Sequence, residues 1–325
     1  MAGQSYKSLI YALFLVAVGA VTSWLASPAT GISILGCKLA GPDQFISSCS
    51  SPKFGDYEHA ALWFGLEGEA LANLKAADVI FTGSSRTMFA FSTTEVRSYF
   101  AARGIQQFNL GFGYEEQHTF FEQLAIKHRL HPRILVIGID PYFSDRVSPP
   151  ALDAMSSSRK TRVQAWAKKI LSTLQPALCK VTNCSSAPTG FRSTKDGYFS
   201  WRGSLMVDQQ IARTRQTQTR DVQVNVPLAA MQAQDYLERI GMPAACVVLV
   251  PMPTHEVWMK PDPVQKIAEA IGAQYVDADT GEDLMLLDYL HLSYDSAKRF
   301  SAEFVRAFDR LPQDCLRAPA TTARL

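Results

Sequence analysis

Three short apolar runs constrain this chain more than any other feature, because each closes on glycine or a small polar residue and leads toward a helix-length stretch. Asp78-Val79-Ile80-Phe81-Thr82 ends in Gly83-Ser84-Ser85, Ile105 to Leu110 ends in Gly111-Phe112-Gly113, and the run from Arg133 to Ile139 reads RILVIGI. Continuous apolar runs of this length are the pattern of strands buried on both faces, and the branched residues of the third place it near the sheet centre. Helices are expected from Ser85 to about Ala102 and from about Glu115 to Arg129. The rhythm resumes later with a helix over about Pro227 to Ile240, a strand from Ala245 to Val250, a helix over about Pro263 to Ile271, a strand from Gln274 to Val276, and a last helix from about Ser293 to Arg310. Strands separated by such helices imply right-handed crossovers, so the expected fold is a three-layer α/β/α arrangement around a mainly parallel sheet. Sites in such sheets lie at the carboxyl ends of the strands.

Two regions depart from this rhythm. Residues 144 to 225 contain polar and serine-rich stretches, and we expect an insertion carrying helices there. From Ser8 to Ala26 the chain reads SLIYALFLVAVGAVTSWLA without a charge, close to the roughly 20 residues a helix needs to cross a bilayer. Lys7 precedes this run, Trp24 sits at an interfacial place, and no further cation appears until Lys38, so the N-terminus is expected in the cytoplasm and the rest outside it. An uncleaved single-pass anchor in the inner membrane, with an extracytoplasmic domain, is the first reading. A signal peptide cleaved near Ser27-Pro28-Ala29 is the alternative. The expected organisation is an anchor over 1–26, a juxtamembrane connection over 27–75, a main domain over 76–311 and a tail over 312–325.

Composition narrows the function classes. Hydrophobic residues make up 47% and charged residues 19%, and the net charge is +2, which suits a globular domain and gives no support for nucleic-acid binding. No metal or cofactor motif is evident. The six cysteines all follow the apolar run and lack C-x-x-C spacing, so disulfides are expected. We expect Cys37 with Cys49, Cys179 with Cys184 and Cys246 with Cys315, one of several connectivities open to six cysteines.

Two blocks carry chemistry. Gly83-Ser84-Ser85 ends a strand and opens a helix, where a serine hydroxyl is exposed at the sheet edge and backbone N–H groups can hold an oxyanion. A helix N-cap is the plainer role for a serine there. Asp288-Tyr289-Leu290-His291-Leu292-Ser293 sets an aspartate three residues before a histidine in a loop preceding a helix. A serine needs a base, and the base needs an orienting acceptor on its other ring nitrogen, so Ser85, His291 and Asp288 are the candidate triad.

In this order the blocks resemble the SGNH (GDSL-like) hydrolase superfamily over about residues 75–145 and 240–310. VIFTGSSRT places Ser85 at the nucleophile position, with Ser84 in place of the usual aspartate. FNLGFGYEE places Gly113, or Gly111, where a glycine N–H contributes to the oxyanion hole. VIGIDPYF departs from the family, because Asp140 stands nearest the place of an oxyanion-donating asparagine. A carboxylate there would repel an oxyanion, so Asp140 is expected to be protonated, turned away or bound elsewhere, or simply to cap a turn. Within the superfamily the chain is most similar to membrane-anchored O-acyltransferases of the DltD type and of the alginate-acetylation type. That resemblance implies transfer of an acyl group, acetyl above all, onto a hydroxyl of an exported glycan or polymer, beside a multi-spanning membrane-bound O-acyltransferase. An esterase with the same triad and a non-catalytic scaffold of the same fold are the alternatives.

Further polar residues are weaker candidates. Arg86 beside the nucleophile suits an anionic acceptor, His255 follows a strand end, and Trp201 with Tyr198 suits stacking on a sugar ring. His118 is expected at the surface.

Overall fold

The computed structural model describes residue 19 and residues 36–51, 54–140, 142–144, 146–180, 187–203, 212–213, 224–253, 261–281, 284–288, 290–312 and 314–317. The expected anchor, Ser8 to Ala26, lies outside the described residues apart from Gly19, which is helical. Among the described residues no helix is long and apolar enough to cross a membrane.

Five parallel strands form the central sheet: β3 (Val79–Gly83), β4 (Gln107–Gly111), β5 (Ile134–Ile139), β9 (Val247–Pro251) and β10 (Gln274–Tyr275). Their order is β10-β9-β5-β3-β4 and every pairing is parallel. The RILVIGI run is the middle strand, as its branched residues predict. Alternation divides the side chains between two cores. Ile80, Leu135, Ile137, Val247 and Leu249 face one cluster, and Val79, Phe81, Val136, Val248 and Val250 face the other. Both faces are therefore dry, and burial in continuous apolar strands is the reason the runs were legible.

Helices cover each face. On one side pack α5 (His118–His128), α8 (Val226–Ile240) and α9 (Pro261–Ile271). On the other lie α3 (Ser85–Ala90), α4 (Thr94–Ala101) and α10 (Tyr294–Phe308). The stretch expected as one helix to Ala102 is two, because the Thr93 hydroxyl caps α4 by accepting from the Val96 N–H. The helix expected from Glu115 starts only at His118, since Tyr114 and Glu115 both have positive φ, 65° and 54°.

A second, antiparallel sheet was not foreseen. Its order is β2-β1-β6-β7, from β1 (Gln44–Cys49), β2 (Gly55–Asp56), β6 (Thr189–Ser193) and β7 (Phe199–Arg202). Residues 27–75 thus contribute β1, β2, α1 (Glu58–Trp63) and most of α2 (Gly68–Ala76) to the folded body, where a connection with limited helix was expected. The insertion expected to carry helices holds strands β6 and β7 as well as α6 (Pro149–Ser156) and α7 (Arg159–Leu178). The β6–β7 turn abuts the edge strand β4 through Asn109 N–H donating to the Asp196 carbonyl at 2.9 Å, which covers an otherwise open sheet edge. A two-stranded ladder joins β8 (Ala212–Arg213) to β11 (Met285–Leu286).

Disulfides join Cys37 to Cys49 and Cys246 to Cys315, both as expected. The second ties the start of β9 to α11 (Asp314–Arg317), across 69 residues. Cys179 is also disulfide-bonded, and Cys184 lies outside the described residues. Disulfides suit an oxidising compartment.

Candidate active site

Three elements bring the predicted triad together. Ser85 is the first residue of α3, directly after β3, while Asp288 and His291 lie in the loop before α10. His291 Nε2 is 2.7 Å from Ser85 Oγ, and His291 Nδ1 is 2.7 Å from Asp288 Oδ2. Asp288 can only accept from Nδ1–H, so Nε2 accepts from the serine hydroxyl, the arrangement in which a histidine can take the serine proton. The loop is pinned by Asp288 Oδ1, which accepts from the backbone N–H groups of His291 at 2.9 Å and Leu290 at 3.2 Å. Burial raises the Asp288 pKa, but the hydrogen bonds from His291 and the backbone outweigh it and hold the carboxyl below the ordinary value.

The helix-cap reading of the serine pair falls on Ser84. Its hydroxyl accepts from the Arg86 N–H at 3.2 Å and donates to Asp140 Oδ2. Ser85 is left free of capping and points to His291. Close packing at the strand ends requires glycine. A Cβ on Gly83, whose φ is +149°, would lie 2.1 Å from Thr87 Oγ1, and one on Gly111 would lie 2.4 Å from the Met88 backbone nitrogen.

The oxyanion candidates separate on hydrogen bonding. Gly111 N–H is engaged, donating to Asn109 Oδ1 at 3.0 Å. Among the described residues neither Gly113 N–H nor Ser85 N–H has an intramolecular acceptor, so these are the donors open to a substrate. Asp140, at the end of β5, is bound elsewhere: Arg86 Nη1 donates to its Oδ2 at 2.7 Å. The carboxylate at the asparagine place is thus countered by the guanidinium two residues after Ser84. Arg86, a weaker candidate for an anionic acceptor, is engaged in this pair, with its side chain 11% exposed.

No family model matches the chain, and no curated protein or solved structure matches it.

An aromatic row leads away from the triad. Phe89 of α3 lies against the His291 ring at 4.5 Å between centroids, Phe199 follows at 5.1 Å, and half-buried Trp201 at 6.3 Å from Phe199. Trp201 is thus linked to the triad through two rings rather than beside it. Tyr198 lies under the Arg97 guanidinium, 4.2 Å from ring centre to Cζ. His255 lies outside the described residues. His118, expected at the surface, is buried, with Nδ1 3.2 Å from the Tyr142 carbonyl; its place at the start of α5, beneath the loop from Tyr142, removes it from solvent.

Sequence reasoning missed the residues that hold the strand ends. Arg192 is fully buried and donates to the carbonyls of Asn109 at 2.7 Å, Gly197 at 3.1 Å and Gly111 at 2.6 Å, while its Nε donates to Glu58 at 2.9 Å. The Asn109 amide donates to the Met88 carbonyl and to Ser92 Oγ, both at 3.1 Å, tying α3 to β4. His59 lies 4.8 Å from the Phe112 ring, between Asp56 at 3.0 Å and Glu116 at 3.4 Å. Burial lowers its pKa, and the two carboxylates outweigh that and raise it to about 10. Among the described residues, Asp56, Glu58 and His59 form a group with metal-ligand composition, but Glu58 is paired with Arg192 and His59 is cationic, so these groups already supply the positive charge.

Proposed function

We propose that this protein is a serine-dependent O-acyltransferase that works by a Ser85 acyl-enzyme. The observation that carries the reading is the continuous pair of 2.7 Å contacts from Ser85 through His291 to Asp288. Ser85 Oγ attacks the acyl carbonyl as its proton passes to His291 Nε2, and the N–H groups of Ser85 and Gly113 receive the oxyanion. As the intermediate collapses, the bond to the donor alkoxide breaks and His291 returns the proton to it. A hydroxyl of an extracytoplasmic glycan or polymer then attacks the ester with His291 as base, and Ser85 is released with its proton restored. Acetyl is the favoured group. The choice of acceptor, the inner-membrane location with an extracytoplasmic domain, and a multi-spanning membrane acyltransferase as donor partner rest on the resemblance to DltD-type and alginate-acetylation-type proteins and on the charge-free run from Ser8 to Ala26.

A second reading is hydrolysis by the same triad, an esterase or deacylase. It is favoured by the partial exposure of the His291 and Asp288 side chains, 16% and 30%, which admits water. Incubation with an acetyl ester donor and a glycan acceptor decides between them. Transfer predicts an acetylated glycan and a trapped acetyl group on Ser85, both lost in Ser85→Ala; hydrolysis predicts free acetate with no glycan product. Failure of folded wild-type protein to react with a fluorophosphonate at Ser85 would reject both.

A further inference from the structure

Helix α7 leaves an apolar stripe in solvent along the flank of the face it buries. Val163, Trp166 and Ile170 follow i, i+3, i+7 spacing, so they lie on one line of the helix, and they are 41%, 52% and 37% exposed. Ala167, Leu171 and Gln175 fill the inward side. A tryptophan half in solvent between two aliphatic residues is not what an exposed helix face needs for its own stability.

The charges on α7 are all of one sign. Between Asp153 and Asp196 the chain has no carboxylate, while Arg159, Lys160, Arg162, Lys168 and Lys169 lie on α7. Lys168 turns inward, donating to the Asp56 carbonyl at 2.5 Å, and Lys169 pairs with Glu67 at 2.6 Å. Arg159, Lys160 and Arg162 remain exposed in the first turn, Arg162 with its Cζ 5.4 Å from the Phe64 ring centre, and Arg159 and Arg162 lie on the same side as Val163 and Trp166.

The path of the chain points the same way. Gln175, near the other end of α7, donates to the carbonyl of Cys37 at 2.7 Å. The segment between Ala26 and Cys37 spans at most about 35 Å, comparable with the roughly 30 Å length of α7. A bilayer holding Ser8 to Ala26 is therefore within reach of this helix.

We infer that α7 docks on the anionic surface of the bilayer, with Val163, Trp166 and Ile170 in the headgroup boundary and Arg159, Lys160 and Arg162 against lipid phosphates. This rests on the reading of Ser8 to Ala26 as an anchor. The chemistry is that of an interfacial helix face, in which an aromatic and two aliphatic side chains enter the boundary and cations hold the lipid charge. Docking fixes the orientation of the domain relative to the bilayer.

The test uses the full chain in nanodiscs of phosphatidylcholine with phosphatidylglycerol, the phosphatidylcholine carrying bromine near the headgroup end of its acyl chains. Two readouts are taken: co-purification with the disc, which reports the anchor, and fluorescence quenching lost in Trp166→Phe, which reports docking. The expected result is co-purification of every variant, with Trp166 quenched in wild type. Arg159→Glu with Arg162→Glu lowers the docked-to-undocked ratio by about fivefold per cation removed, and more for the reversal. Both positions are in the first helical turn, where glutamate is favourable, so this variant keeps the helix. Co-purification without quenching at Trp166 would overturn docking and leave the anchor standing. Loss of co-purification in wild type would overturn both.

Discussion

Arg192 offers the sharpest test of how the two sheets are joined. It is fully buried, its partner Glu58 is 4% exposed at the side chain, and the pair is closed by contacts of 2.8 and 2.9 Å to one carboxylate oxygen. Arg192→Met leaves the Glu58 carboxylate buried without its cation, and a broken buried pair costs about 3–5 kcal/mol. In a chain of this size that corresponds to a fall in melting temperature on the order of 10 °C. Glu58→Met costs less, because Arg192 keeps the carbonyls of Asn109, Gly111 and Gly197 as acceptors. The double variant removes both charges and is expected to regain at least half of the loss in Arg192→Met, since an apolar replacement of a buried pair is often neutral. The assay is urea unfolding of the four proteins followed by far-UV circular dichroism, with disulfides intact. A double variant no more stable than Arg192→Met would refute the ion-pair account and assign the stabilisation to the carbonyl contacts.

Three other outcomes follow from the geometry. His59 has a pKa raised from 6.5 to about 10, so the stability it contributes is fully present below about pH 6.5 and is lost as pH rises through about 10; the stability gap between wild type and His59→Gln therefore shrinks over that window in urea melts at stepped pH, from an upper bound of about 5 kcal/mol. Asp288→Asn keeps the shape of the loop but removes the acceptor that fixes the His291 tautomer, and fluorophosphonate labelling of Ser85 should slow by on the order of 10³-fold; an unchanged rate would remove Asp288 from the triad. Breaking Cys246–Cys315, which closes a separation of 69 residues, by Cys315→Ser should lower stability by about 2–4 kcal/mol, measured as a shift in the urea midpoint.

The parts of the fold that were legible in the sequence are those decided locally. VIFTG and ILVIG carry no polar side chain but that of Thr82 because both sheet faces are dry, and Asp288 and His291 reach each other within one loop. What escaped depends on pairing across the chain. QFISSC and TGFRS hold neither a continuous apolar run nor a clean alternation, and become strands β1 and β6 by meeting each other, with Phe45 opposite Arg192. A buried arginine carries no local signal, since arginine is ordinarily exposed. The fate of Asp140 was equally hidden: its partners Ser84 and Arg86 lie more than fifty residues earlier. The short left-handed segment at Tyr114 and Glu115, which delays α5, was masked because neither residue type favours that conformation.

The separation of 206 residues between Ser85 and His291 gives this protein a timing that a compact motif would not have. At ordinary rates of synthesis the histidine follows the serine by about 10–40 s. Throughout that interval Ser85 is an ordinary alcohol, because the group able to take its proton has not yet been made. A chain that stalls or is cut before residue 291 carries the serine and the strand-end glycines but no base, so on the proposed reading only molecules extended through residue 291 can acquire the completed site.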